Sequence, residues 1–80
     1  MLKKLIIVDD DTPFRERLGR SMEKKGFFVE TFASYEDCIK RCFKESFDYA
    51  VIDMRLEDGS GLELIKKLKE ISPKTKSLLL

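Results

Sequence analysis

A continuous apolar run, Leu5-Ile6-Ile7-Val8, ends abruptly on two acids, Asp9 and Asp10. A strand with one solvated face alternates apolar and polar residues. An unbroken, β-branched run instead suits a strand covered on both faces. A second such run, Tyr49-Ala50-Val51-Ile52, ends on Asp53. Strands buried on both sides need helices on both sides. The segments between the runs have the right character. Asp11-Thr12-Pro13 reads as a helix start, with an Asp or Thr cap and Pro in the first turn. Phe14, Leu18 and Met22 follow as one apolar core stripe, and Gly26 sits where a helix would close.

The rest of the chain repeats the alternation. Phe27 to Phe32 reads as a second strand. Ser34 can cap a helix, with Asp37 three positions on as a near variant of the capping box. On that helix Cys38, Ile39, Cys42 and Phe43 share an inward face. A loop from Arg55 to Gly61 leads to a third helix with Leu62, Leu64, Ile65 and Leu68 inward, stopped by Pro73. Ser77 to Leu80 starts a fourth strand. Helices between successive apolar strands imply parallel pairing through right-handed crossovers, an α/β fold in one domain over residues 1–80.

Composition narrows the function classes. Sixteen basic residues balance fifteen acidic ones, without the basic block of a nucleic-acid footprint. No apolar run approaches the roughly 18 residues of a membrane span, and the start is too short in apolar residues for a signal peptide. A cytoplasmic location is expected. Cys38 and Cys42 have no second pair and no His beside them. A zinc site needs about four ligands, so both read as buried, reduced thiols rather than a metal site or a redox sensor.

Asp9, Asp10 and Asp53 all leave the C-terminal ends of strands, where open parallel sheets bind ligands. If strands one and three are neighbours, the three carboxylates converge. At about 5 Å and an effective dielectric of about 20, each pair repels by roughly 3 kcal/mol. A hard cation relieves this, and Mg²⁺ takes one or two carboxylates together with phosphate oxygens. One carboxylate is then available to attack phosphorus. Taken singly, Asp10 or Asp11 reads more simply as a helix cap, and Glu57 and Asp58 as solvated loop residues. The combination of both strand ends with a Gly loop is what points to a site.

These residues resemble the receiver domain of two-component response regulators. The resemblance rests on Leu5 to Asp10 (LIIVDD), on Tyr49 to Asp53 (YAVID), and on Asp58-Gly59-Ser60-Gly61 followed by Leu62. It runs over the whole chain. It implies a flavodoxin-like fold with strand order 2-1-3-4, lacking the last strand and the last two helices of a complete receiver. It implies that Asp53 accepts a phosphoryl group from a sensor histidine kinase. It also implies that Asp9, Asp10, Asp53 and the backbone carbonyl of Arg55 hold Mg²⁺. The stretches VDDDTPF, MEKKGF and Met54-Arg55 are similar to the redox-responsive transcriptional regulators of photosynthesis and respiration. In that branch a DNA-binding domain follows the receiver, and no direct nucleic-acid binding is expected of these residues.

The resemblance also marks what is missing. The family's Thr or Ser switch residue would fall just past Leu80, and its Lys lies on the absent last strand. Apolar surface and an open fourth-strand edge are therefore expected, with a homodimer or segment-swapped oligomer as the result. Two readings compete. The first is a phosphoacceptor signalling module, not an enzyme. The second is a non-signalling fragment that binds a kinase or regulator by self-association or sequestration. A small phosphatase ranks third, because no second acid stands two positions after Asp53. On the helices, Lys66, Lys67 and Lys69 read as a solvated face. Arg15, Arg17 and Arg20 are candidates for a kinase-docking surface.

Overall fold

The structure, a computed structural model, describes residues 2–80. The first strand, β1 (Lys4–Val8), leads to helix α1 (Thr12–Lys24), then β2 (Phe28–Phe32) and α2 (Tyr35–Lys44). Strand β3 (Tyr49–Ile52) is followed by two short strands, β4 (Arg55–Leu56) and β5 (Gly59–Ser60). Helix α3 (Gly61–Ile71) and strand β6 (Lys76–Leu79) complete the order. The main sheet runs β2-β1-β3-β6 and every pairing in it is parallel. This is the predicted 2-1-3-4 order, with β6 as the fourth long strand.

The expected loop from Arg55 to Gly61 is a miniature antiparallel hairpin, Arg55 opposite Ser60 and Leu56 opposite Gly59. Its strands are two residues each, too short to show alternation in a sequence.

One face of the sheet carries the core. Ile6, Val8, Ala50 and Ile52 pack there with Cys38 and Cys42 of α2, Leu64 and Leu68 of α3, Leu56 of the hairpin, and Phe47. Phe47 is only 1 % exposed although it lies between elements. Its carbonyl accepts from Thr75 Oγ1 at 2.5 Å, which ties the α2–β3 connection to the α3–β6 connection. The thiols behave as the sequence suggests. Both are buried and free, and the hydrogen bond to Cys42, with burial, pushes the Cys38 thiol up.

Three inward assignments change. Phe43 is 65 % exposed and Leu62 51 % exposed. Each helical residue turns by about 100°, so Phe43 leaves the Cys38–Cys42 stripe and Leu62 lies across the helix from Leu64. The predicted core stripe Phe14, Leu18 and Met22 is half-buried, and Gly19 is the buried residue of α1. Gly19 sits against the side chains of Thr31 and Val29, so α1 leans toward β2. That leaves an apolar groove of about 190 Å³ beside it, lined by residues that include Leu5, Met22, Phe27, Tyr49, Val51 and Leu78.

Local signals set the helix ends. Asp11 caps α1 by accepting from the Phe14 amide at 3.1 Å. Gly26 takes φ 100°, the left-handed turn that closes α1 and that a side chain would strain. For α2, Ser34 Oγ accepts from the Asp37 amide at 3.2 Å, one half of the expected capping box. The next free amides are taken by Asp58, reaching across from the hairpin to Tyr35 N at 2.9 Å and Glu36 N at 3.1 Å. Asp58 is exposed, as expected of a loop acid, and is in addition a long-range helix cap.

The amides of Tyr35 and Glu36 hold the Asp58 carboxyl below its ordinary value of 3.8. A lowered folded pKa stabilises fully above the unfolded value, and that contribution is lost as pH falls through the folded pKa. The Asp58→Asn variant is expected to melt at a lower temperature at neutral pH. Its gap from the wild type should close below about pH 4. Thermal melts from neutral to strongly acid pH check this. A gap that stays constant into strong acid would mean that the charge plays no part.

Candidate functional site

The register of β1 on β3 builds the site. Val8 stands opposite Ile52, so the next residues, Asp9 and Asp53, emerge side by side. The Asp53 amide still donates to Val8 O at 2.9 Å, and the Asp9 amide donates to Phe32 O at 3.0 Å. Both acids are therefore held by the last bonds of the sheet. Asp10 follows one residue later. The three side chains each present an oxygen, and these atoms lie within 4.8 Å of one another.

The three environments differ. Asp9 is 6 % exposed, Asp53 is half-buried and Asp10 is exposed. Asp9 Oδ1 accepts from the Asp11 amide at 2.9 Å. Burial nonetheless pushes the Asp9 carboxyl above its ordinary value, helped by the charges of Asp53, Asp10 and Asp11 and opposed by the Asp11 amide. Asp53 Oδ1 accepts from the Arg55 amide at 3.3 Å. That bond orients the Asp53 side chain and draws the Arg55 backbone back toward it.

Acids at the first loop divide their roles. Asp11 caps α1, while Asp10 joins Asp9 and Asp53. Arg15, expected on a docking surface, turns back instead and donates from Nη1 to Asp9 O at 2.6 Å. No sequence spacing announces that bond, because an arginine in a first helical turn is ordinary.

The floor of the site explains a glycine. A Cβ on Gly61 would lie 2.1 Å from the carbonyl oxygen of Asp53 and 2.9 Å from Leu79 Cδ1. The Gly61 amide donates to Met54 O at 2.8 Å, which pulls the start of α3 directly under the acid. Gly59 is crowded for a different reason: its Cβ would meet the Tyr35 ring at 2.9 Å. Both glycines were visible as loop punctuation. The close approaches that require them were not.

The description "Response regulator receiver domain" matches residues 5–80. The chain belongs to this family. The photosynthetic apparatus regulatory protein RegA of Cereibacter sphaeroides is 41% identical over 78 residues, covering 98% of this chain and 42% of RegA. The chain thus spans less than half the length of that curated relative. Its similarity to RegA agrees with the photosynthesis-and-respiration branch that the sequence suggests. The CheY-like receiver domain protein from Methanospirillum hungatei superposes with a TM-score of 0.95 at 32% identity, covering 99% of this chain and 63% of that one. A response regulator from Burkholderia pseudomallei, solved with a phosphorylated aspartic acid, a calcium ion and citrate, gives a TM-score of 0.91 at 28% identity. That match covers 96% of this chain and 45% of the other.

The crowding at Gly61 makes a direct prediction. Gly61→Ala forces a methyl group onto backbone that cannot yield, so a loss of about 1–3 kcal/mol or more is expected. Urea unfolding measures it. A loss below about 0.5 kcal/mol, the range of indifferent surface changes, would contradict the close approach.

Proposed function

We propose that this receiver domain is the phosphoacceptor of a two-component signalling system in the cytoplasm. Asp53 takes a phosphoryl group from the phosphohistidine of a sensor histidine kinase. The convergence of three carboxylates at the ends of adjacent parallel strands carries this reading. Carboxylate oxygens are the ligands of hard divalent cations, and the cluster presents three of them within 4.8 Å of one another. Asp9, Asp10, Asp53 and the backbone carbonyl of Arg55 would hold Mg²⁺. A Mg²⁺ ion held there would neutralise charge on the phosphoryl oxygens.

The chain's own groups prepare the transfer. The Arg55 amide holds one Asp53 oxygen. An Asp53 carboxylate oxygen attacks phosphorus, an O–P bond forms, the N–P bond of the phosphohistidine breaks, and the imidazole leaves and takes up a proton. The role is that of a signalling acceptor. The Burkholderia structure, with its phosphorylated aspartic acid and calcium ion, supports the same chemistry on this fold.

Intact-mass analysis after incubation with a small phosphodonor and Mg²⁺ tests the reading. The wild type is expected to gain a single phosphoryl group that the Asp53→Asn variant does not. No gain, with cation binding preserved, would favour the second reading, in which the domain acts by binding a kinase, a regulator or a copy of itself. The apolar groove beside α1 and the exposed Leu78 and Leu80 support that reading independently. Light scattering at micromolar concentration is expected to show self-association. A compact monomer there would remove its main support.

A further inference from the structure

We propose that Arg15 is the positioning residue of the acid cluster. In this role it fixes the peptide unit that joins Asp9 to Asp10 and so sets where the Asp10 carboxylate points. The inference rests on the reading of the cluster as a Mg²⁺ site and goes beyond it by naming a residue that is not itself a ligand.

The geometry starts from Asp9. Its amide is tied to Phe32 O at 3.0 Å, as the last bond of the sheet on that side. Its side chain is tied to the Asp11 amide at 2.9 Å. The remaining backbone group of Asp9 is its carbonyl, which belongs to the peptide plane shared with Asp10. Arg15 Nη1 donates to that oxygen at 2.6 Å. With the carbonyl pinned, the plane cannot rotate, and the Cα of Asp10 is fixed relative to the end of β1. Asp10 needs this more than its neighbours do. Asp9 is buried and Asp53 is held by β3, but Asp10 is exposed and lies beyond the last sheet bond.

Arg15 is itself braced. Its other terminal nitrogen reaches Thr12 Oγ1 at 3.4 Å. Its Nε is buried without a hydrogen-bond partner among the described residues. An unpaired buried nitrogen costs free energy, so the side chain does not adopt this pose for its own satisfaction. The short charge-assisted bond to Asp9 O is the compensating contact. Arg17 and Arg20, on the same helix, are exposed.

A guanidinium near a cation site also repels the cation. Removing its charge would confound the two effects, so the test keeps the charge. Arg15→Lys retains the positive charge and loses the planar fork. Mg²⁺ affinity, measured by titration of backbone amide shifts, is expected to fall about tenfold, as when a group that orients a metal ligand is lost. Arg17→Lys should bind as the wild type does. In metal-free protein the Asp10 amide nitrogen shift should move in Arg15→Lys, because the hydrogen bond to the adjoining carbonyl is gone. Unchanged Mg²⁺ affinity or an unmoved Asp10 signal would overturn the proposal. A wild type that binds no Mg²⁺ would overturn the metal-site reading as well, which separates the two failures. A measurement on the wild type alone adds an arm that no folding defect can blunt: Arg15 guanidinium protons should exchange more slowly than those of Arg17 and Arg20. Equal rates would overturn the pinned geometry.

Discussion

Three carboxylates within 4.8 Å of one another are the constraint around which this domain is arranged. Like charges at that range repel by roughly 3 kcal/mol per pair at an effective dielectric of about 20. Here they are forced together by backbone register. The β1–β3 pairing puts Val8 against Ile52 and leaves Asp9 beside Asp53. Sliding that register would break the cluster and also turn Ile6, Val8, Ala50 and Ile52 away from α2 and α3. The bonds that make the core are therefore the same bonds that make the site.

The loop after Asp53 shows how tightly this acid is surrounded. Gly61 lies so close beneath it that only a hydrogen atom fits. The hairpin then carries Asp58 across to the first amides of α2, and Gly59 lets the turn sit on the Tyr35 ring. A short piece of chain thus touches β3, the start of α3 and the start of α2. The segment is also tied to the Asp53 carboxylate, which accepts from the Arg55 amide. Asp58 links the segment to α2 through two hydrogen bonds.

What could be read beforehand follows from the range of each interaction. LIIVDD and YAVID were legible because a doubly covered parallel strand must be apolar along its whole length, and an acid at its end cannot hide. Gly26 and Ser34 were legible because helix ends are closed by residues a few positions away. Asp58 was not, since its partners Tyr35 and Glu36 are separated from it by β3 and most of α2. Phe47 looked like connecting chain, yet tertiary contact buries it almost completely. Phe43 and Leu62 show the opposite limit. Apolar character alone placed them inward, and helix geometry put them outside. The acid triad was recoverable as a set because topology supplies the adjacency, whereas the bond from Arg15 depends on one rotamer in a first helical turn.

The two sides of the sheet are unequal. The α2–α3 side holds the contiguous core and the hairpin next to Asp53. The α1 side buries Leu5 and Ile7 but leaves Tyr49 and Val51 partly open and Leu78 exposed. Apolar surface left open on a sheet face is a place where another surface gains by binding. The acids sit at the strand ends, between the two sides. One cluster of charge thus has a separate structural connection to each face of the sheet. Arg15 anchors the first through the Asp9 carbonyl, and Asp58 anchors the second through the amides of α2.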